Sequence, residues 1–227
     1  MSSSLSSDLK GRRAAFFDVD DTLISVKSMF DFFTYWTQVK NLPDVKMQFE
    51  ASFHALRESK KNREMLNRLY YRFFAGHDLS ELENVGRQWF YKNIIDKDFF
   101  IDKTLRRLRQ HQKQGDPIVF ISGSMLPLLQ PIAEHLNVEH ILCTELLSNY
   151  QGVLTGEIGD IQTIGQGKVI AMQQFAIREN IKMAESYAYG DDISDIGMLS
   201  ATGNPVYVGN DLVMLIYAKE HYWEILR

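Results

Sequence analysis

The chain has 227 residues, of which 45% are hydrophobic, and a formal net charge of −4. This length can bury one substantial core, with or without a smaller accessory domain. The negative charge gives no general attraction to nucleic acid, and the single cysteine excludes an intrachain disulfide. The serine-rich start at residues 1–7 has no apolar signal-peptide core, and no run of about 18 apolar residues occurs. We therefore expect a cytoplasmic protein that binds neither nucleic acid nor membranes.

The first predicted strand ends in carboxylates. The sequence FFDVDDTL at residues 16–23 places Asp18 and Asp20 two residues apart, directly after a short apolar run. Side chains two apart on an extended chain point the same way, so both carboxylates can address one point beyond a buried strand. That point is a candidate active site, although the pattern alone could also cap a helix or form a calcium-binding loop.

A long helical segment follows. Residues 26–114 contain no convincing strand, and their apolar spacing predicts helices over 28–40, 44–58, 62–75, 79–93 and 98–114. An insertion of this size is better explained as a lid over a site than as a structureless loop. Most of its aromatic side chains are expected to pack a core of its own.

The remaining sequence alternates strands and helices. Buried strands are predicted at 117–122, 140–145, 186–190 and 205–209. Helical patterns occur at 125–136, 167–179 and 193–201, and a hairpin is predicted at 145–158. This rhythm predicts an α/β fold with a Rossmann-like parallel sheet. Ligands bind beyond the carboxyl ends of such strands, where Asp18, Ser122 and Asp191 are all expected to lie.

The order of these motifs resembles that of the haloacid dehalogenase-like phosphatases. DxDxT at 18–22, Ser-Gly at 122–123, Lys168 after two glycines and GDxxxD at 190–195 match the four motifs of that family. Ser-Gly alone is a common turn, and Lys168 alone could be a surface lysine. The resemblance implies that Asp18 is a nucleophile forming an aspartyl-phosphate and that Asp20 is the general acid and base.

The resemblance also implies a metal site, a positive charge beside Asp18 and two residues that bind the phosphoryl group. Mg²⁺ would be held by the Asp18 and Asp191 carboxylates and the Asp20 main-chain carbonyl. Lys168 would screen Asp18 from the incoming phosphate, and Asp195 would orient metal-bound water or Lys168. Ser122 and Gly123 would bind the phosphoryl group. The phosphoserine phosphatase branch of the family often has Gly-Asp-Gly-x-Asn-Asp in the fourth motif, and this chain has Asp192 and Ser194 in place of the middle Gly and the Asn.

The position of the insertion resembles the phosphoserine phosphatase-like branch, whose helical cap follows the first motif. Lys27 stands where that branch carries a glutamate that reads the substrate ammonium. A cation there would favour a substrate with an extra anionic or hydroxyl group, unless Lys27 simply faces solvent. Arg68 and Arg72 are candidates for a second substrate anchor. The expected division is a core of residues 10–25 and 115–227, with a cap of residues 26–114.

The function expected from these residues is Mg²⁺-dependent hydrolysis of a small phosphorylated metabolite. A phosphotransferase would use the same aspartyl-phosphate, and a phosphoserine phosphatase proper is a second alternative. A non-catalytic binding module is a third, but the chain retains both Asp18 and Asp20, which a retired site would be expected to lose. The sequence leaves the natural substrate and the oligomeric state open.

Overall fold

The computed structural model describes residues 11–58, 63–96 and 98–227. The serine-rich start and residues 10 and 62 of the predicted elements lie outside these ranges. The strands are β1 (Ala15–Phe17), β2 (Ile118–Met125), β3 (His140–Thr144), β4 (Leu146–Ser148), β5 (Leu154–Ile158), β6 (Tyr187–Gly190), β7 (Asn204–Val208) and β8 (Glu224–Leu226). The helices are α1 (Ser28–Val39), α2 (Pro43–Glu58), α3 (Arg63–Arg72), α4 (Leu79–Asn93), α5 (Asp102–Gln114), α6 (Leu126–Leu136), α7 (Gln166–Arg178), α8 (Ile196–Ser200) and α9 (Leu212–Glu220).

Six of the described strands form one parallel sheet, in the order β3-β2-β1-β6-β7-β8. β1 lies at its centre, where Phe16 pairs with Val119 on one side and with Ala188 on the other. Phe16 and Phe17 are fully buried in separate apolar clusters on opposite faces of the sheet. Burial of both faces is characteristic of a parallel sheet covered by helices, and it confirms the predicted α/β fold.

The segment between β1 and β2 is helical, as predicted. Its interior is aromatic, and Phe33 lies at the centre, with ring centroids 4.1 Å from Phe49 and 5.8 Å from both Tyr70 and Phe74. The last helix of this segment, α5, also contacts β2. Within the described ranges, no helix combines the length and the apolar character needed to cross a bilayer.

The two connections of the helical segment lie side by side. The backbone N–H of Ser25 donates to the Phe99 carbonyl at 2.9 Å, and the N–H of Ile101 donates to the Leu23 carbonyl, also at 2.9 Å. The chain therefore leaves the sheet after β1 and returns before α5 through one short antiparallel pair of segments.

Several elements differ from the sequence expectations. β2 runs on through the Ser-Gly motif to Met125 instead of ending at residue 122, and the helix predicted at 193–201 begins with a separate 3₁₀ turn, Ile193–Asp195. Helix α9 and strand β8 were not predicted. The apolar residues of α9 are spread around the helix and give no helical periodicity. The hairpin of β4 and β5 is confirmed, and the Asn149 side chain accepts backbone hydrogen bonds within its turn.

Candidate active site

The predicted site residues gather at the carboxyl edge of the sheet. Asp18 follows β1, Ser122 lies in β2, and Asp191 follows β6. These three side chains and Lys168 line one cavity of about 110 Å³. The cavity also contains contributions from α1 and α3, so the helical segment forms part of its wall.

Asp18 is held rigidly at the end of β1. Its backbone N–H donates to the Tyr189 carbonyl at 2.9 Å, which ties it to the neighbouring strand β6. The Thr22 hydroxyl lies 3.3 Å from Asp18 Oδ2 and 3.0 Å from Asp191 Oδ1. Asp18 is only 7% exposed, so its carboxylate addresses the cavity in a single orientation.

Lys168 places a buried positive charge between two carboxylates. It lies in the first turn of α7 and is 5% exposed. Its Nζ donates to Asp18 Oδ1 at 2.6 Å and to Asp195 Oδ1 at 2.7 Å. Although burial opposes its charge, these two carboxylates raise the pKa of Lys168 above its ordinary value. The lysine therefore remains a cation and partly neutralises Asp18.

Negative charge still exceeds positive charge at this point. Burial raises the pKa of Asp18 to about 6, against the lowering effect of Lys168. Burial and the charges of Asp18 and Asp195 raise the pKa of Asp191 to about 8. Carboxylate oxygens of these three aspartates lie within 4.8 Å of one another. Such a donor set fits a hard divalent cation such as Mg²⁺, which prefers oxygen ligands.

Among the described residues, one carboxylate oxygen of Asp20 has a hydrogen-bond partner and the other has none. Its Oδ2 accepts the backbone N–H of Ser28 at 3.0 Å. Its Oδ1 is buried and has no hydrogen-bond partner in the described parts of the chain. Burial, followed by the nearby charge of Asp18, raises the pKa of Asp20 to about 7. A carboxyl group with this pKa can hold a proton at neutral pH and can also take one back.

The Ser-Gly motif contributes a buried hydroxyl and a close backbone approach. Ser122 Oγ accepts the N–H of Ser124 at 3.1 Å. A Cβ atom at Gly123 would lie 2.5 Å from the Ile164 side chain. Only glycine therefore lets this backbone lie so close to the loop that precedes α7.

The predicted substrate contacts fall in different places. Lys27 lines the cavity, is half exposed and pairs with Asp21 at 2.6 Å. Arg68 and Arg72 are exposed and are not among the residues that line this cavity. Arg72 lies instead 3.9 Å from Glu157, on the hairpin. The structure thus brings Lys27 into the cavity that Asp18 lines, and it does not place either of these arginines among the lining residues.

Two cavity residues on α3 were missed by the sequence reasoning. Arg63 contacts the carboxylate of Asp192, and its guanidinium donates to Ser194 Oγ at 3.1 Å. Asn67, one turn later, is buried and also lines the cavity. The four-residue step from Arg63 through Asn67 to Tyr71 marks one helix face. That step indicates that they share a face, but it does not say which face of α3 meets the core.

Comparisons with known proteins agree with this arrangement. A sequence model of the haloacid dehalogenase-like hydrolase family matches residues 15–200. Phosphoserine phosphatase SerB1 of Mycobacterium tuberculosis is 29% identical over 222 residues, which cover 93% of this chain and 70% of that protein.

Two solved structures are similar in fold. One is a protein of unknown function from Bordetella pertussis, with a TM-score of 0.83 at 22% identity over 96% of this chain and 99% of that chain. The other is a substrate-bound phosphoserine phosphatase, with a TM-score of 0.65 at 17% identity over 96% of this chain and 93% of that chain. Because the family match extends over most of the sequence and includes all four motifs, the chain belongs to the haloacid dehalogenase-like hydrolases.

Proposed function

We propose that the chain is a Mg²⁺-dependent phosphomonoesterase that hydrolyses a small phosphorylated metabolite through an aspartyl-phosphate on Asp18. One observation carries the proposal. The buried Asp18 carboxylate is fixed by Lys168 and Thr22. Asp20, whose Oδ1 has no hydrogen-bond partner among the described residues, is a carboxyl group with a pKa of about 7. A nucleophile and a proton donor therefore share one small cavity.

In the first step, an Asp18 oxygen attacks phosphorus and the bond to the leaving oxygen breaks. Asp20 gives its proton to that oxygen, so the product leaves as an alcohol. In the second step, water attacks the phosphorus of the aspartyl-phosphate, Asp20 takes a proton from it, and the Asp18 carboxylate is released with inorganic phosphate. Ser122 and the backbone of Gly123 hold the phosphoryl oxygens in both steps.

The residues that would hold Mg²⁺ are the Asp18 and Asp191 carboxylates and the Asp20 carbonyl. The ion would neutralise the charge that develops on the transferring phosphoryl group. Burial, together with the nearby charges of Asp18 and Asp195, raises the pKa of Asp191, and the clustering of these carboxylates supports this assignment. Asp195, held by Lys168 at 2.7 Å, orients the lysine toward Asp18.

The cavity mouth suggests the class of leaving group. Lys27, Arg63 and Phe30 all line the cavity. Each of these cations is paired with a carboxylate, Lys27 with Asp21 and Arg63 with Asp192. Their remaining hydrogen-bond donors favour a leaving group with an anionic or hydroxyl substituent over one whose only additional charge is an ammonium. A phosphoserine phosphatase proper remains the alternative, because phosphoserine carries a carboxylate as well as an ammonium group, and because SerB1 bears that name.

We also propose a core and a helical cap, close to the core of residues 10–25 and 115–227 and the cap of residues 26–114 expected from the sequence. The pairing of the two connections after β1 and before α5 supports a cap that is joined to the core at one place. Helix α5 lies beyond the second connection and contacts β2, so we assign it to the core and end the cap before Asp102.

The proposal is tested with a panel of phosphorylated metabolites, Mg²⁺ and isotopically labelled water. Hydrolysis places the label in inorganic phosphate, whereas a phosphotransferase would pass the phosphoryl group to an added alcohol. Asp18→Asn should abolish turnover without unfolding the protein, since an amide keeps the shape but cannot form the acyl-phosphate. Binding without turnover by the wild-type protein would indicate a non-catalytic module.

Substrate selection is tested with Lys27→Glu. We expect a loss of about 10- to 1000-fold with an anionic substrate and a much smaller loss with a small ester that lacks the extra group. Equal losses on both would indicate damage to the catalytic centre. No loss on either would mean that Lys27 faces water and that Lys27 does not exclude substrates with an amine group.

A further inference from the structure

Strand β2 contains a bulge at the Ser-Gly motif. Ser122 pairs with Cys143 of β3, and the next pair joins Met125 to Thr144. Gly123 and Ser124 of β2 therefore have no pairing partners in β3. Buried carbonyl groups need a hydrogen-bond donor, and bulges beside active sites commonly redirect nearby groups. The Gly123 carbonyl must find its donor outside the sheet.

Helix α3 of the inserted segment supplies that donor twice. Asn67 Nδ2 donates to the Gly123 carbonyl at 3.0 Å, and the Tyr71 hydroxyl donates to the same oxygen at 2.7 Å. The Asn67 amide is itself oriented, because its Oδ1 accepts from Gln162 Nε2 at 2.8 Å. Gln162 lies in the loop before α7, so three separate segments meet at this carbonyl.

Both donor side chains are well placed to fix the bulge. Asn67 and Tyr71 are buried and lie one helical turn apart, on the same face of α3. Tyr71 does not line the catalytic cavity, whereas Asn67 does. Any effect of the Tyr71 hydroxyl on the reaction must therefore pass through another residue.

The planar peptide bond transmits the orientation of this carbonyl to Ser122. Fixing the Gly123 carbonyl also fixes the N–H of Ser124 on the other side of the same peptide plane. That N–H donates to Ser122 Oγ at 3.1 Å. One lone pair of the Ser122 hydroxyl is thus engaged, and its own proton is left to donate to a phosphoryl oxygen.

The same bulge is linked to Asp20. The hydroxyls of Ser124 and Ser28 lie 2.9 Å apart, and both are buried. The backbone N–H of Ser28 donates to Asp20 Oδ2. A chain of contacts therefore runs from α3 through the bulge to the carboxyl group that would transfer the proton.

We propose that Asn67 and Tyr71 are positioning residues that hold the Ser122–Gly123 pair in its phosphoryl-binding geometry. The inserted segment then does more than cover the site, because its packing on the bulge completes the site. This inference rests on the proposed function, in which Ser122 and Gly123 bind the phosphoryl group.

The test compares Tyr71→Phe with Tyr70→Phe in the full chain. Tyr70 is equally buried on the same helix, but its hydroxyl has no hydrogen-bond partner among the described residues. Each change removes one oxygen from a buried ring. We expect Tyr71→Phe to lower kcat/KM by about 3- to 10-fold, the size of one hydrogen bond, and Tyr70→Phe to change it less than about twofold.

A double-mutant cycle with Ser122→Ala separates positioning from general stability. If Tyr71 acts through the Ser122 hydroxyl, Tyr71→Phe should cost less than about twofold in the Ser122→Ala background. A full loss in that background would overturn the inference, because a merely structural role is additive.

A readout independent of turnover distinguishes this inference from the proposed function. The backbone amide resonance of Ser124 should shift in Tyr71→Phe and stay unchanged in Tyr70→Phe. An unchanged resonance in Tyr71→Phe overturns the inference whether or not the protein is active. Absence of hydrolysis by the wild-type chain, with the resonance shifted as expected, refutes the proposed function and leaves the positioning of the bulge standing.

Discussion

Replacing Lys168 with Met tests how strongly one buried cation supports the reaction. The Lys168 ammonium makes short hydrogen bonds to Asp18 and Asp195, at 2.6 and 2.7 Å. Lys168→Met keeps most of the side-chain length and removes both bonds and the charge. Asp18 would then meet the incoming phosphate without its neutralising partner, so repulsion should raise the barrier for attack.

The size of the loss follows from those two bonds. A hydrogen bond to a charged group contributes about 1.5 to 3 kcal/mol, so losing both costs about 3 to 6 kcal/mol in the barrier if the lysine's full stabilisation is realised only in the transition state. That corresponds to a fall in kcat of about 10²- to 10⁴-fold. The assay is the initial rate on p-nitrophenyl phosphate with saturating Mg²⁺, and thermal unfolding shows whether the fold is retained.

Lys182→Met is the matched control. Lys182 Nζ pairs with Glu185 at 3.0 Å, but both side chains are substantially exposed, and such surface pairs contribute little. We expect its activity to stay within about twofold of wild type. A folded Lys168→Met protein that loses less than about tenfold in kcat would refute the reasoning, because the buried cation would then contribute no more than a surface charge.

Three further predictions concern the metal, the cap and the pH dependence of stability. Chelation should silence the enzyme, with Mg²⁺ restoring it and Ca²⁺ doing so poorly, because Ca²⁺ is larger and takes more ligands; full activity in excess chelator would remove the metal from the mechanism. Phe33→Ala should lower the free energy of unfolding by about 3 to 5 kcal/mol, measured by denaturant unfolding, whereas a loss below about 1 kcal/mol would mean that the aromatic cluster repacks. Burial lowers the pKa of His111. Burial alone would raise the pKa of Asp116, but hydrogen bonds from Arg13 and His111 lower it. Both groups bind fewer protons when folded, so the stability of wild type relative to His111→Asn should decrease as pH falls below about 6.5, and a constant difference between the two would contradict this sign.

The parts of the site that depend on local geometry could be predicted from the sequence. Asp18 and Asp20 lie two residues apart at a strand end, and Asp191 and Asp195 lie four apart at a strand-to-helix junction. Spacing of this kind sets direction without any knowledge of distant contacts. The α/β alternation then indicates which strand ends meet.

The contribution of α3 could not be predicted in the same way. Arg68 and Arg63 lie on one helix, and only the rotation of that helix against the core decides which of them reaches the cavity. That rotation is set by the burial of Asn67, Tyr70 and Tyr71. It is also set by the Gly123 carbonyl, which the bulge in β2 leaves unpaired with β3 and available to α3. The sequence carries no short-range signal for such a bulge. Helix α9 was missed for a simpler reason, since an apolar stretch without periodicity has no preferred face.

The paired connections of the inserted segment bear on how this protein could be altered. The Ser25–Phe99 and Ile101–Leu23 hydrogen bonds bring the two ends of the insertion together. The connection to the central strand β1 therefore does not depend on the size of the segment inserted between these ends. Closing a longer or shorter loop between them changes the chain entropy only slowly with length. The segment is thus exchangeable in principle. Substrate range could diverge by replacement of a whole module, provided that the replacement still offers donors to the Gly123 carbonyl.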